Sequence, residues 1–194
     1  MLAVLVALPS RSPAELSPVI TAEDRKFIED VERRGVLYFR EQSDPSTGLV
    51  RDRASADGGP TKGPSRDIAS TAATGFGLTA LCIGSEHGWI PREQAVERVR
   101  NTLKFFAAKA FEEHGWFYHW MNVANGDREW DSEVSSVDTS YLVGGVLTAA
   151  QYFSDDPEIP KLAKKIYDRV DFEWMLDGDR YFTLARLAKR ERVS

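Results

Sequence analysis

The sequence predicts an all-α fold arranged as a partial α/α toroid, in which an inner layer of helices is surrounded by an outer layer. Two stretches that are small and apolar on every side, residues 67–84 and 137–153, alternate along the chain with three amphipathic stretches. A helix that is apolar all round needs neighbours on every side, whereas an amphipathic helix buries only one face. Alternating the two kinds therefore gives two concentric layers of helices.

The first amphipathic stretch begins at a capping-box signal, Thr21 to Asp24, and is expected to end near Gln42. Its apolar side comprises Phe27, Ile28, Val31, Leu37, Tyr38 and Phe39. A turn at residues 44–48 and a Gly/Pro-rich loop that runs to Arg66 follow it. The second amphipathic helix opens at Pro91, a residue favoured at the first helical position. The third starts at residues 155–157 and places apolar side chains at steps of four, at Leu162, Ile166, Val170 and Trp174.

The two inner helices carry a faint internal repeat. Leu-Thr-Ala at residues 78–80 and again at 147–149 follows a close pair of glycines, Gly75 and Gly77 in the first helix and Gly144 and Gly145 in the second. Each inner helix therefore reads as one copy of a helix-pair unit. Two copies and a lone first helix do not close a ring, so we expect about half a barrel, whose uncovered apolar helices favour self-association.

Residues 114–128, HGWFYHWMNVANGDR, have a different character from the helices. Aromatic side chains alternate along this stretch, and Asn125-Gly126 is the strongest short signal for a hairpin turn. We therefore predict a small β-hairpin flap between the second outer helix and the second inner helix.

Composition limits the classes of function. With 194 residues, 42% of them hydrophobic and 28% charged, the chain fits one soluble globular domain, residues 21–176. A net charge of −5 gives no electrostatic reason to bind nucleic acid or an anionic membrane surface. No run reaches the ~20 apolar residues of a membrane span, and there is no phosphate-cradling glycine loop, so we expect no cofactor. The single cysteine, Cys82, excludes an internal disulfide and is expected to serve packing.

Both ends of the chain differ from this domain. Residues 1–20 form a predicted disordered leader, in which an apolar run, MLAVLVAL, precedes Pro9, Pro13 and Pro18. No basic residue precedes that run, so it is a poor signal peptide, and it is either the remnant of an export signal or a frayed terminus. Residues 177–194 are expected to form a divergent, solvated tail rich in basic residues, namely Arg186, Lys189, Arg190 and Arg192.

The stretch WDSEVSSVDT, residues 130–139, joins an acidic loop to the start of the second inner helix. A carboxylate at the mouth of a buried helix is held rigidly, and burial there can raise its pKa. Glu133 is therefore the candidate catalytic acid, and the alternative is a loop carboxylate paired with Arg128 or Arg53. Asp138 has a second explanation, because Ser135 to Asp138 form a capping box.

Further residues could bind substrate at the same mouth: Asp52, Arg53, Trp116, Tyr118, His119, Trp130, Asp131 and Asp138. Asp52 and Arg53 could instead form an exposed ion pair with each other. Any one of Trp116, Tyr118 and Trp130 could equally well be a core residue. His114 and His119 lie five residues apart on the predicted hairpin, which is poor ligand geometry, so we expect no metal site.

Several of these motifs together resemble the glucoamylase-like domain family, which includes bacterial endo-β-1,2-glucanases and domains of cyclic β-1,2-glucan synthases. The resemblance covers roughly residues 27–176 and is carried, in order, by TAATGFGLTALCIGSEHGWI, HGWFYHW with NGDR, and SEVSSVDTSYLVGGVLTAAQYF. It implies an (α/α)6 barrel about twice the length of this chain, of which the chain would form the N-terminal half as a partial (α/α)6 barrel. It also implies an open barrel end that binds β-glucan and a location in the periplasm or cell envelope.

Two functions from different classes follow. The first is a glycoside hydrolase-like domain acting on β-linked glucan, with β-1,2-glucan favoured and an inverting acid/base mechanism. An inverting hydrolase needs two carboxyl groups, and the resemblance implies that the partner of Glu133 comes from the other half of the barrel. The second is a non-catalytic helical module that binds saccharide or docks on a protein.

Overall fold

The computed structural model describes residues 20–176, 178 and 180–186, and the chain divides into two compact units, residues 1–32 and 33–194. Helix α1, Ala22–Glu41, begins in the first unit. Its start is the predicted capping box: the backbone N–H and hydroxyl of Thr21 donate to the Asp24 carboxylate, and the Asp24 N–H donates to the Thr21 hydroxyl. The predicted leader, residues 1–20, lies outside the described residues except for Ile20.

The expected apolar side of α1 is only partly used. Phe27, Ile28 and Val31 are exposed, whereas Val36 is the buried residue of this helix. Within the second unit Tyr38 donates its hydroxyl to the backbone carbonyl of Arg51, 2.8 Å away. The helix thus forms where the sequence predicts it, but the buried positions lie in its last two turns.

The described residues of the second unit contain five more α-helices: α2 Thr71–Glu86, α3 Arg92–Ala108, α4 Ser136–Tyr152, α5 Ile159–Tyr167 and α6 Phe172–Leu176. The two helices with apolar residues all round, α2 and α4, pack side by side. Helix α3 packs on α2 and α5, and α5 also packs on α4, so one-sided helices cover two inner ones. The predicted alternation of inner and outer helices is confirmed.

Glycines set the distance between α2 and α4. A Cβ atom added to Gly145 would lie 2.1 Å from the backbone oxygen of Gly75, and one added to Gly75 would lie 2.3 Å from the backbone oxygen of Tyr141. No side chain fits at such distances. One glycine of each repeated pair, Gly75 in α2 and Gly145 in α4, therefore permits backbone-to-backbone contact between the two inner helices.

The β-structure is more extensive than the single flap predicted. In the part of the chain that the structure describes, seven short strands form three small antiparallel sheets: β1 Val50–Arg51, β2 Ile68–Ser70, β3 Glu112–Glu113, β4 Trp116–Phe117, β5 Trp120–Asn122, β6 Val134–Ser135 and β7 Ala185–Arg186. The strand orders are β1-β2-β5, β3-β4 and β6-β7. Strand β5 takes β2 as its partner, and of the expected hairpin around Asn125 and Gly126 the pairing Met121↔Arg128 remains as an isolated bridge.

Two predicted helices have different bounds in the structure. Residues 68–70 form the buried central strand β2 and not the start of an inner helix, because Ser70 is extended and its side chain accepts a hydrogen bond from the Ala73 N–H. As the N-cap residue, Ser70 sets the start of α2 at Thr71. The last predicted helix is broken into α5 and α6, and the Asp171 carboxylate accepts from the Trp174 N–H at the start of the second piece.

Part of the predicted solvated tail is structured. Strand β7 pairs with β6, with Val134 opposite Arg186 and Ser135 opposite Ala185. The Ser136 N–H and hydroxyl both donate to the backbone oxygen of Leu184. The predicted basic residues Lys189, Arg190 and Arg192 lie outside the described residues. Across the described ranges, no helix has the length and apolar character that crossing a bilayer requires.

Candidate functional site

The loop that connects β5 to α4 brings Glu133 against His119. The Glu133 Oε1 atom lies 2.9 Å from His119 Nδ1, and the His119 backbone N–H donates to the Glu133 carbonyl at 3.0 Å. Both side chains are half-buried. The predicted alternative partners, Arg128 and Arg53, are engaged elsewhere: Arg128 binds loop carbonyls and Arg53 pairs with Asp52. The main hydrogen-bond partner of the Glu133 carboxylate is therefore an imidazole.

Asp138 lies on the other side of the same imidazole. Its Oδ1 atom is 3.6 Å from His119 Nε2, and its Oδ2 atom accepts a hydrogen bond of 2.5 Å from the Ser135 hydroxyl. The Asp138 N–H in turn donates to the Ser135 hydroxyl at 3.1 Å. The predicted capping box is confirmed, and the cap also places a second, buried carboxylate beside His119.

The protonation of Glu133 differs from the expectation. Burial raises the pKa of Glu133, but hydrogen bonds from its own backbone N–H and from His119, together with the charges of His119 and Arg128, outweigh that effect and leave the pKa below its usual value. The expected apolar wall that would keep the carboxyl protonated is replaced by a ring nitrogen and a nearby guanidinium. In this structure Glu133 is ionised at neutral pH.

Aromatic rings extend the site towards solvent. The His119 ring stacks on Trp120 with centroids 3.8 Å apart, and Trp120 meets Trp130 edge to face at 5.6 Å. Trp130 is 47% exposed, so its ring is accessible as the predicted stacking surface. Trp120 was not among the residues predicted from the sequence. Strand alternation could have found it, since Met121 beside it is fully buried and neighbouring side chains in a strand point to opposite faces.

Two predicted stacking residues are core residues in the structure. Trp116 is 1% exposed, and its Nε1–H donates to the Asp171 carbonyl at 2.8 Å. Tyr118 is buried, its hydroxyl donates to the Glu113 carboxylate, and the Arg128 guanidinium lies over its ring. The polar atoms of both side chains thus have partners inside the protein. Trp116 and Tyr118 are core residues, which was the alternative interpretation for each.

Asp52 and Arg53 are not brought to the imidazole. They form an exposed ion pair with each other, as the alternative interpretation had it. The Asp52 N–H donates to Ile68, whose register partner on β5 is Asn122, so Asp52 lies two strands across the sheet and three residues along from His119. With ~4.8 Å between strands and ~3.4 Å per residue, that is well beyond direct contact.

Backbone strain is concentrated in the loop itself. Trp130 and Asp131 both adopt positive φ angles, 55° and 51°, which non-glycine residues rarely do. Such outliers cluster at functional sites, where the surrounding structure holds them in place. Asp131 is exposed, and its backbone carbonyl accepts a hydrogen bond from Arg128.

Metal and thiol chemistry find no support in the described ranges. There, no group of three or more His, Cys, Asp or Glu side chains is arranged to hold a metal ion. Burial raises the pKa of the Cys82 thiol to about 12. A thiol with such a pKa is unreactive, which agrees with the packing role expected for it.

The fold is similar to part of the (α/α)6 barrels of glucoamylase-like proteins. No family model matches the chain. An exo-β-1,2-glucooligosaccharide sophorohydrolase (non-reducing end) of Parabacteroides distasonis is 31% identical over 159 residues, which are 78% of this chain and 21% of that protein. The chain therefore spans about a fifth of this curated relative.

Solved structures give the same assignment. An endo-β-1,2-glucanase of Chitinophaga pinensis, in complex with sophorotriose and glucose, superposes with a TM-score of 0.73 at 28% identity, covering 83% of this chain and 40% of that one. A β-1,2-glucanase of Parabacteroides distasonis gives 0.72 at 27% identity, covering 86% and 24%. A glucoamylase-like protein of Bacteroides fragilis gives 0.69 at 29% identity, covering 86% and 42%. The predicted resemblance to the glucoamylase-like domain family is confirmed for part of such a domain.

Proposed function

We propose that this chain forms a saccharide-binding part of a glycoside hydrolase domain that acts on β-1,2-linked glucan. The observation that carries the proposal is an aromatic pair, the half-buried Trp120 and the exposed Trp130, directly beside the His119–Glu133 pair. Aromatic faces cover the apolar faces of sugar rings, while a carboxylate and an imidazole bind their hydroxyl groups. Three of the four proteins named above are named for action on β-1,2-linked glucans or their oligosaccharides, which supports that linkage for this chain.

Glu133 acts in its ionised form in this proposal. Inverting hydrolysis needs one carboxylic acid to protonate the leaving oxygen and one carboxylate to activate water. A carboxyl whose pKa is lowered by an imidazole and a guanidinium fits the second role, or the acceptance of a hydrogen bond from a sugar hydroxyl. The proton donor must then be a different carboxyl group.

Asp138 does not fit the role of proton donor. One of its oxygens accepts from the Ser135 hydroxyl, and the other lies 3.6 Å from His119 Nε2, so both face groups of the protein itself. We therefore assign Asp138 to the support of His119 and of the helix start.

Saccharide binding can be measured on the chain itself. Titration with β-1,2-linked gluco-oligosaccharides, followed by calorimetry and by tryptophan fluorescence, should show saturable binding that β-1,4-linked oligomers of equal length do not reproduce. Trp130→Ala should weaken binding about tenfold, since a lost stacking contact of ~1.4 kcal/mol corresponds to that factor.

Trp89→Ala is the matched control for this titration. Trp89 also stacks on a histidine, His87, with centroids 4.4 Å apart, but it follows the opposite end of α2, ~24 Å from Thr71 for a helix of 16 residues. Its loss should leave binding unchanged. Equal loss of affinity in both variants, or no binding by the unmodified chain, would contradict the proposed site.

A hydrolysis assay separates this proposal from the non-catalytic alternative. If the chain cleaves β-1,2-glucan, Glu133→Gln should lower kcat by ~10² to 10⁴ with little change in binding, because general base catalysis is typically worth that factor. Binding without any cleavage would instead favour the saccharide-binding module.

A further inference from the structure

Arg128 makes an unusual pair of contacts beside the site. Its Nε–H donates to the Ser132 carbonyl at 2.6 Å and its Nη2 atom donates to the Asp131 carbonyl at 2.7 Å. The same guanidinium lies over the Tyr118 ring, with its central carbon 4.9 Å from the ring centroid. One planar group thus spans a four-residue loop and is itself held against a buried aromatic residue.

The two carbonyls belong to the strained part of the loop. Two consecutive residues of positive φ, Trp130 and Asp131, are strained and persist only where other contacts hold them. Arg128 binds the carbonyl of the second of these residues and the carbonyl of the residue after it. Hydrogen bonds from a charged guanidinium are about twice as strong as neutral ones, so this fork can offset much of that strain.

The ends of the strained loop carry the groups of the proposed site. Trp130 meets Trp120 at its beginning, and Glu133 accepts from His119 just beyond its end. Ser132 ties the middle of the loop to β5, because its hydroxyl donates to the Trp120 carbonyl and accepts from the Trp120 N–H. The distance between the aromatic pair and the carboxylate therefore depends on the loop conformation that Arg128 stabilises.

We propose that Arg128 is a positioning residue, whose guanidinium fork holds Trp130 and Glu133 in the relative arrangement that a saccharide requires. This inference rests on the proposed function for its ligand, but the effect of Arg128 on the loop concerns the unliganded chain. Lysine cannot replace arginine here, because a single ammonium group does not supply two coplanar donors and does not stack on Tyr118 in the same way.

The relative arrangement of Trp120 and Trp130 can be followed by an optical signal. Two indole rings held 5.6 Å apart at 65° couple their electronic transitions and give a signed pair of bands in the far-ultraviolet circular dichroism spectrum. Trp130→Phe should abolish these bands and identifies them. Arg128→Lys and Arg128→Gln should also abolish them while the helical signal and cooperative melting remain.

Arg98→Lys is the matched control. Arg98 is likewise half-buried and donates to two acceptors, the Arg40 carbonyl at 3.0 Å and the Ser43 hydroxyl at 2.8 Å, but these lie at the end of α1. This variant should keep the tryptophan bands. It should also keep the affinity for β-1,2-gluco-oligosaccharides, which Arg128→Lys should lower about tenfold.

Each result decides one of the two claims. Retention of the tryptophan bands in both Arg128 variants would overturn the positioning role, and so would their loss with unchanged affinity. Loss of the helical signal in both variants would also overturn it, because Arg128 would then be needed for folding as a whole. Absence of saccharide binding by the unmodified chain would overturn the proposed function, whereas the optical comparison would still decide whether Arg128 fixes the loop.

Discussion

His119 connects every part of the candidate site. Its ring contacts Glu133 through Nδ1, faces Asp138 through Nε2, and stacks on Trp120. Its backbone is bound as well, since its N–H donates to Glu133 and its carbonyl accepts from the Thr71 N–H at the start of α2. His119 therefore ties the acidic loop to the first turns of both inner helices, to α4 through its ring and to α2 through its backbone carbonyl.

The pKa of the Glu133 carboxyl should lie below the usual value for glutamate, because the hydrogen bonds and charges described above favour its ionised form. A depressed pKa adds stability that is fully present above the unfolded-state value and is lost as pH falls through the folded-state value. Carboxyl-carbon NMR titration of the chain gives this pKa directly. A midpoint above the usual value for glutamate would contradict this direction and would restore Glu133 as the predicted general acid.

Substitutions in the helix cap should distinguish the capping role of Asp138 from the proposed catalytic role of Glu133. Asp138→Asn should lower the free energy of unfolding by about 1 kcal/mol, the usual size of a capping contribution. Ser135→Ala should cost more, about 1–2 kcal/mol, because it also leaves the buried Asp138 carboxylate with one donor fewer.

The matched control for these variants is Ser70→Ala at the start of α2. The Ser70 hydroxyl accepts from the Ala73 N–H at 3.2 Å. Its loss should cost at most about 1 kcal/mol, measured by urea denaturation alongside the others. If Asp138→Asn abolishes hydrolysis at unchanged stability, Asp138 rather than Glu133 is the catalytic carboxylate.

The sequence predicted contacts between residues close together in the chain better than contacts between residues far apart. The capping box at Ser135 and Asp138 involves residues three apart and was readable from the sequence. The contact between Glu133 and His119 joins residues fourteen apart, and it reverses the direction of the Glu133 pKa shift. Burial of Trp116 depends on the still more distant Asp171, so no local pattern could distinguish a core tryptophan from an accessible one.

At the scale of elements, helices were more predictable than strands. The apolar run that contains β2 fits a buried helix or a buried strand equally well over three residues, and only the antiparallel partners β1 and β5 decide between them. The break between α5 and α6 similarly depends on a tertiary contact, since the Asp171 N–H donates to the carbonyl of His114. Apolar residues recur at every fourth position across that break, so the sequence pattern does not show it.

The contact between α2 and α4 gives the sharpest prediction for an element. Gly145→Ala should destabilise the chain by about 3 kcal/mol or more, because the new Cβ would overlap the Gly75 backbone and the two helices must move apart. Gly144→Ala is the matched control one residue earlier, where an added Cβ meets nothing within 4 Å.

The control should gain about 0.5–1 kcal/mol, because alanine is the better helix former. Thermal and urea denaturation of both variants measure these changes. Similar effects of the two substitutions would contradict the close backbone contact between the inner helices.

At the scale of the whole molecule, the inner helices leave apolar side chains uncovered. Phe76 and Ile83 lie seven residues apart on one face of α2 and are exposed, and Phe76 packs against the exposed Tyr141 of α4 with centroids 5.0 Å apart. Leu147 is exposed further along α4. Helices α2 and α4 are apolar on every side, but the described residues cover them on some sides only. The pair therefore presents an apolar face to solvent.

That face is the basis of the prediction that the chain self-associates. Contiguous apolar patches beyond a few hundred Å² are uncommon on monomeric soluble proteins. Sedimentation velocity over a range of concentrations should show species larger than the 21.8 kDa monomer.

Leu147→Glu should shift the distribution towards monomer, since association would bury an unpaired charge at a cost of several kcal/mol. Phe111→Glu, at an exposed phenylalanine outside α2 and α4, should not. A clean monomer with a sharp two-state melt would contradict the prediction and would mean that the exposed face of α2 and α4 is too small to drive association.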